Sequence, residues 1–220
     1  MQSNRAKGEM ISNEKNIIKD FSEWSPKCTH PCAGSLDQEK RNKKYRQLII
    51  RLLNLKEGDK ILDIGCGTGD LLIDLDNKYK NRLNLTGIDI TPNFIKVARE
   101  RVKNRKKIRI LNMSLNNLRF GNNLFDYVFA IRLLHHIKDP KKKIRDINKV
   151  LKDKGIFVIF DWCRDYKIVK KWDKELRKKE KSHQKFYTSE EVKKILRKSG
   201  FFIMSIIKKR YFMIIISKNL

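Results

Sequence analysis

The stretch Lys60-Ile-Leu-Asp-Ile-Gly-Cys-Gly-Thr-Gly-Asp70 decides how this chain is read. Lys60 to Ile64 is a short apolar run, a buried β-strand. It leads straight into a turn with glycine at alternate positions, Gly65, Gly67 and Gly69. Glycine takes backbone conformations that a Cβ forbids, and it lets a ligand lie against the main chain. An apolar helix begins near Asp70, and its free N–H groups point at whatever occupies the turn. The spacing Asp-x-Gly-x-Gly-x-Gly differs from the Gly-x-Gly-x-x-Gly of dinucleotide sites. Cys66, inside the turn, reads as a small neutral filler rather than a nucleophile.

Working outward, strands and helices alternate. Apolar residues Tyr45, Leu48, Ile49, Leu52 and Leu53 mark one face of a helix from Lys40 to Leu55. After the turn, Leu71, Leu72 and Leu75 predict a helix to about Tyr79, followed by a second strand, Leu83 to Ile88. Asp89 closes that strand, 20 residues past Gly69. An acid there is placed to accept from two ribose hydroxyls, and it could equally cap the helix opened by Thr91-Pro92. That helix runs from Pro92 to about Lys103. Further strands follow at Ile108–Asn112, Phe125–Ile131 and Ile156–Phe160, with a helix from Pro140 to Leu151. Phe125–Ile131 is almost continuously apolar, as a central parallel strand covered on both faces should be. Five alternations of strand and helix predict right-handed crossovers and a doubly wound sheet. Thr188-Ser-Glu-Glu-Val starts a helix that Gly200 ends. Phe201–Ile207 and Tyr211–Ser217, joined by Lys208-Lys-Arg210, form an antiparallel hairpin.

Residues 1–44 are polar and weakly patterned. Ile17, Ile18, Phe21 and Trp24 suggest a short amphipathic helix over Asn13–Trp24. A proline-bounded loop then carries Cys28, His30 and Cys32. A metal there lacks a fourth ligand and the usual zinc spacing, so no metal site is assigned and a loop over the active site is the better reading. The chain divides into an N-terminal helical and loop extension, 1–44, as a possible active-site cap, and a main domain, 45–220.

At 220 residues one main domain is expected, with enough chain to bury a core. No apolar run nears the roughly 20 residues that span a bilayer, and Met1-Gln-Ser-Asn-Arg opens no secretory leader, so a cytoplasmic protein is expected. Cys28, Cys32, Cys66 and Cys163 are too few and scattered for a disulfide scaffold. The formal charge of +27 would draw phosphate backbones or anionic substrates. A biased genome rich in Lys, Asn and Ile explains it equally well, since basic and aromatic residues rarely interleave here. Segment 164–210 concentrates the charge, with 17 Lys/Arg against 6 Asp/Glu.

Three motifs together carry a family resemblance: Asp63-Ile-Gly-Cys-Gly-Thr-Gly69, Gly87-Ile-Asp-Ile90, and Asn122-Asn-Leu-Phe-Asp-Tyr-Val-Phe-Ala-Ile-Arg-Leu-Leu-His-His-Ile137. In this order they resemble the class I S-adenosylmethionine (SAM)-dependent methyltransferases. The third looks like the fourth strand and loop of the ubiquinone/menaquinone-biosynthesis and related type-11 enzymes. The resemblance covers residues 45–220 and implies a Rossmann-like, seven-stranded, mostly parallel sheet with a C-terminal antiparallel hairpin. It implies SAM as cofactor. Gly65, Cys66, Gly67 and Gly69 would face its methionine part, and Asp63 would orient its ammonium group. Asp89 would hold the ribose, with Ile90 against the adenine. Ser114 and Leu115 would flank the adenine edge, and Ile131 the carboxypropyl chain. The family often has an acid at the Ser114 position to accept from the adenine amine; Ser114 brings an acceptor without charge.

Because the sulfonium methyl is already activated, such an enzyme mainly aligns the nucleophile and excludes water. His135 and His136 sit where an acceptor would enter, and either has the pKa of a general base. We expect His135 to face the site and His136 to pack beneath it. The loop after Ile131 lacks the Asn/Asp-Pro-Pro-aromatic signature of exocyclic-amine enzymes, and the strand lacks the Pro-Cys of cytosine-C5 enzymes. A small-molecule acceptor is expected. An RNA acceptor held by the basic face, an NAD-linked oxidoreductase on a similar sheet, and a non-catalytic SAM-binding protein are the alternatives.

Overall fold

The computed structural model describes residues 12–22 and 36–220, with side chains from residue 42 onward in the second stretch. Cys28, His30, Cys32 and Trp24, and with them the metal question, lie outside the described residues. The elements in order are α1 (Ser12–Phe21), α2 (Leu36–Arg51), β1 (Lys60–Ile64), α3 (Asp70–Tyr79), β2 (Asn84–Asp89), α4 (Pro92–Val102), β3 (Ile108–Asn112), β4 (Phe125–Ile131), α5 (Pro140–Val150), β5 (Leu151–Trp162), α6 (Lys167–Lys179), α7 (Ser189–Arg197), β6 (Phe201–Lys209) and β7 (Phe212–Asn219). Short 3₁₀ turns lie at Leu115–Asn117 and Leu134–His136.

The strands form one seven-stranded sheet in the order β3-β2-β1-β4-β5-β7-β6. The first five are parallel, and β7 runs antiparallel to both of its neighbours, β5 and β6. The expected doubly wound sheet with its terminal hairpin is therefore present. The strand order reverses at β1 and β4, so a crevice opens beyond their carboxyl ends, where ligands of such sheets bind.

Successive side chains of a strand point to opposite faces, so a strand covered on both sides must be apolar throughout. Ile61, Phe129, Val158 and Ile214 face one core, packed with Ile49 of α2, Leu72 and Leu75 of α3 and Ala98 of α4. Leu62, Val128, Ile159 and Ile215 face the other, packed with Ile144 and Ile147 of α5 and Val192 and Leu196 of α7. Burying one such side chain is worth about 1.5–3 kcal/mol. Helix ends follow local chemistry. Asp139 accepts from the Lys142 N–H at the start of α5, and Thr188 and Glu191 form a reciprocal capping box on α7.

Several boundaries differ from the sequence reading: α2 runs Leu36–Arg51 rather than Lys40–Leu55, and so crosses the expected division after residue 44, and β2 runs Asn84–Asp89 rather than Leu83–Ile88. β5 begins at Leu151 rather than Ile156, because Leu151 pairs with Phe125 before an irregularity in the register. The hairpin link is Arg210-Tyr211, with φ of +45° and +77°, not Lys208 to Arg210. A two-residue link with both φ positive matches the twist of the strands it joins, so the strands run further than composition suggested. Among the described residues, no helix is long and apolar enough to cross a membrane.

Candidate active site

A cavity of about 650 Å³ opens at the carboxyl ends of β1, β2 and β4. That volume suits a cofactor-sized ligand. Gly65, Cys66 and Gly67 form one wall, Asp89 and Ile90 the next, Ser114 and Leu115 a third, and Ile131 lies across from them. Asp63 lines the floor. Of the cofactor residues expected from sequence, only Gly69 stays out of the wall. It instead takes φ +82° just ahead of α3.

The turn is built from backbone bonds. The N–H groups of Gly65 and Cys66 both donate to Ile88 O, at 2.8 and 3.0 Å, which ties the turn to β2. Gly65 has φ +71°, and a Cβ there would meet Leu133 Cδ1 at 2.8 Å. Gly67 has φ +52°, and a Cβ there would meet nothing within 4 Å, so its bare backbone borders open cavity. Gly87 leaves the space that the Cys66 side chain fills, as a Cβ on it would meet Sγ at 2.8 Å. Burial raises the Cys66 thiol well above its usual pKa, with Asp63 and Asp89 adding to the effect, so it stays protonated and uncharged.

Asp89 Oδ2 accepts from Gly67 N–H at 3.0 Å, and Oδ1 accepts from Thr91 N–H at 2.8 Å. The carboxylate thus fixes both the glycine turn and the loop that enters α4. The N-cap of that helix is Thr91, so Asp89 is not its capping acid, and it lines the cavity instead. Burial raises its pKa against the pull of those N–H donors. Asp63 is 2% exposed, and its Oδ1 has no hydrogen-bond partner. Burial, followed by the nearby charge of Asp89, pushes Asp63 well above the usual carboxylate range; Arg46 pulls the other way. Asp70, at the head of α3, is pushed up by burial but held below its ordinary value overall by Arg101.

An orphaned buried carboxylate oxygen costs free energy unless a donor or cation meets it. Asp63 and Asp89 with the open backbone at Gly67 therefore suit a ligand carrying a cationic amine and hydroxyls. SAM fits these residues on both counts.

The two histidines are placed in the opposite sense to the sequence reading. His135 is turned away from the cavity: its N–H donates to Asp161 Oδ2 and its Nδ1 lies 2.7 Å from Asp161 Oδ1. The carboxylate at the end of β5 captures it from behind. His136 lines the cavity, with Nδ1 3.1 Å from Ser182 O. A carbonyl oxygen can only accept, so Nδ1 carries the proton and Nε2 is the basic nitrogen. Burial, then the neighbouring His135, lowers the His136 pKa well below 6.5. The ring is neutral at pH 7.

Other lining residues escaped the sequence reading. Asn13, Glu14, Ile17 and Phe21 of α1 roof the cavity. Phe21 packs on Phe94 and edge-on to His136, with ring centroids 5.6 and 5.7 Å apart. Periodicity placed α1, and the extension was read as a cap over the active site, but the lining residues Asn13 and Glu14 were not named. Arg132, at the cavity mouth, holds φ +54°, a strained conformation for a non-glycine residue. Lys138, Lys142 and Lys143 add positive charge to the rim. Among the described residues, no group of three His, Cys, Asp or Glu side chains is placed to hold a metal ion.

A switch-point cavity with a glycine turn and a buried carboxylate at the end of β2 is a site of the kind that takes a nucleoside cofactor. Residues 38–206 match the methyltransferase domain family, and the chain belongs to that family. The chain is similar to a demethylmenaquinone methyltransferase of Staphylococcus saprophyticus, 30% identical over 121 residues, covering 55% of this chain and 52% of that one. It is also similar to the Staphylococcus epidermidis protein of the same name, 28% identical over 162 residues, covering 73% and 64%. The chain spans about half the length of the first of these relatives. A SAM-dependent methyltransferase from Aquifex aeolicus superposes with a TM-score of 0.66 at 21% identity, covering 82% of this chain and 98% of that one, which supports the fold.

Proposed function

We propose that this chain transfers a methyl group from SAM to a small-molecule acceptor. The single observation that carries the reading is the orphaned Asp63 oxygen on the cavity floor, beside a second carboxylate, Asp89, that grips the glycine turn. When bound, SAM supplies a methyl on a cationic sulfur that is already activated toward attack. The chain's residues do the rest. Asp63 meets the ammonium group. Asp89 accepts from the ribose hydroxyls at the acceptor positions its two N–H partners leave. Gly65, Cys66, Gly67 and Gly69 let the methionine part lie along the backbone, and Ile131 flanks its aliphatic chain. Ile90 and Leu115 sandwich the adenine, with Ser114 at its edge. His136 takes a proton from the acceptor at Nε2, and Asp161 fixes the loop through His135 without touching substrate. Helix α1, which roofs the cavity, acts as a cap that excludes water.

The staphylococcal relatives are named for demethylmenaquinone. The side chains of Ile17, Phe21, Phe94 and Ile137 on the roof and wall suit a compact apolar acceptor. An RNA acceptor is favoured by one feature, the basic segment 164–210. Several of its cations are already paired, however: Arg164 and Lys185 with Glu191, Arg177 with Asp173, and Lys208 with Asp165.

The test is incubation with methyl-labelled SAM and separate small-metabolite and RNA fractions, alongside calorimetry with S-adenosylhomocysteine. Label in the small-metabolite fraction, and a loss of affinity of about tenfold or more in Asp89→Ala, are expected. No binding of either nucleoside overturns the donor assignment; label in RNA overturns the acceptor.

A further inference from the structure

Helix α6 carries seven cations in thirteen residues and buries only Val169 and Asp173 against the fold. Asp173 is engaged by Arg177, Arg164 and His183. Lys167, Lys170, Lys171 and Lys174 stay exposed and enter no ion pair among the described residues. Glu175 is the one exposed acid of the helix. Apolar surface sits among these cations. Ile168 is 38% exposed, and Tyr211, at the tip of the β6–β7 hairpin, is 43% exposed. Tyr211 packs edge-on to Tyr166 and Trp172, with ring centroids 5.8 and 5.6 Å apart, so the hairpin tip and the first turns of α6 form one surface. Lys209 and Arg210, both exposed, extend its charge. Phe212 pairs with Trp162 at the carboxyl end of β5, which runs parallel to β4. The surface therefore lies at the end of the sheet where the cavity opens.

We propose that this surface docks on an anionic lipid bilayer, with α6 lying along the headgroups and Ile168 and Tyr211 reaching beneath them. A helix with a basic open side and an apolar border settles in the plane of the membrane interface. Aromatic side chains with one polar end, such as Tyr211, rest at headgroup level. Each lysine held near an anionic leaflet adds to the attraction, and the lysines here have no protein partner to leave. The chemistry favours lipid over RNA. Thirteen of the 17 cations in segment 164–210 are lysines, whereas phosphate recognition on nucleic acid draws on the planar fork of arginine and on open rings. Ile168 gains nothing from a phosphate backbone but leaves water when it enters the acyl boundary. Docking in this pose turns the end of the sheet that holds the cavity toward the lipid. It depends on neither the donor nor the acceptor assigned above.

The experiment is cosedimentation of the full chain with vesicles of phosphatidylcholine, alone or mixed with phosphatidylglycerol. It is run at about 0.1 M sodium chloride, where charges more than roughly 10 Å from the lipid are screened. Wild type is expected to bind the mixed vesicles about tenfold or more tighter than phosphatidylcholine alone. Changing Lys167, Lys170, Lys171 and Lys174 together to Gln should weaken that binding by about 30-fold or more. The same change at Lys56, Lys60, Lys106 and Lys107, at the amino ends of β1 and β3, should stay within about threefold. Ile168→Ser leaves the charge as it is and should still weaken binding by about threefold or more. All of these side chains are exposed, so the fold does not depend on them. Equal loss in the two lysine sets, no loss in Ile168→Ser, or a wild type indifferent to phosphatidylglycerol overturns the proposal. So does an α6 set that loses a homopolymeric RNA while keeping its vesicles, which would give the face to RNA.

Discussion

Asp63 shows how a site residue can work against the fold that holds it. In the unfolded chain its carboxyl titrates near the ordinary value of 3.8, while in the fold it is raised well above that by burial and by Asp89. Between those two values the folded state binds the extra proton, so stability falls as pH rises through that window and stays lower above it. Asp63→Asn removes the buried charge and keeps the shape. Melting of the ligand-free protein at pH 7.5 should rise, by about 2–4 °C for each kcal/mol relieved. Affinity for S-adenosylhomocysteine should fall by about tenfold or more. Opposite movement of the two measurements is the expected signature; a lower melting temperature would mean that Asp63 is a structural anchor. His136 carries the reverse sign. Its folded pKa lies well below the unfolded value of 6.5, so the unfolded state takes up the proton first and stability is lost as pH falls below 6.5. His183 is lowered too, by burial against the pull of Asp173, and shares that slope. Urea denaturation at pH 7.5, 6.5 and 5.5 should therefore show a shallower acid loss in His136→Gln than in wild type. An identical slope would place the titration elsewhere.

The C-terminal hairpin stores strain that a single substitution can release. Arg210 and Tyr211 hold φ of +45° and +77°, which residues with a Cβ adopt at a cost, and the first position of such turns favours Asn. Tyr211 packs against Tyr166 and Trp172 and should be left alone. Arg210→Asn should stabilise the fold by about 0.5–1 kcal/mol, seen as a higher urea midpoint with an unchanged slope. A lower midpoint would mean that the Arg210 side chain matters more than its backbone. The same hairpin marks what a sequence conveys. Apolar patterning gave β1, α3, β3 and β4 their bounds, because each is a local run with local stop signals, as Gly65 is for β1. It did not reveal that β7 inserts between β5 and β6, since Met213 and Ile215 look alike whichever neighbour they pair with. The glycine turn and Asp89 were legible because backbone geometry demands those residue types at fixed spacing. The roles of His135 and His136 were not, as Asp161 and Ser182, which hold the two rings, lie 26 and 46 residues downstream and carry no motif. Glu14 was invisible for the same reason in the other direction.

Across the whole molecule, charge decides more than any one pair. There are 52 Lys and Arg against 25 Asp and Glu, so even if every acid found a base, 27 cations would remain unmatched. Individual surface pairs such as Lys193–Glu190 and Lys149–Asp146 are worth about 0–1 kcal/mol each. Salt weakens those attractions, but it also screens the repulsion among the unmatched cations, whose range shrinks from roughly 30 Å at 0.01 M to about 8 Å at 0.15 M. The surplus outweighs the pairs, so the melting temperature should rise with sodium chloride between about 0.01 and 0.3 M. A fall would mean that paired charges dominate. The same surplus binds any polyanion. Affinity for a homopolymeric RNA should drop steeply over that salt range, with log K linear in log salt. That binding alone says nothing of the acceptor, because a field of this size needs no recognition to hold phosphates. The two effects separate when methyl transfer to the small-metabolite fraction is followed with and without the RNA. If the basic face is only a field, RNA should leave transfer unchanged at 0.3 M salt and take up no label at 0.01 M; label on RNA that persists at the higher salt would instead make segment 164–210 part of an acceptor site.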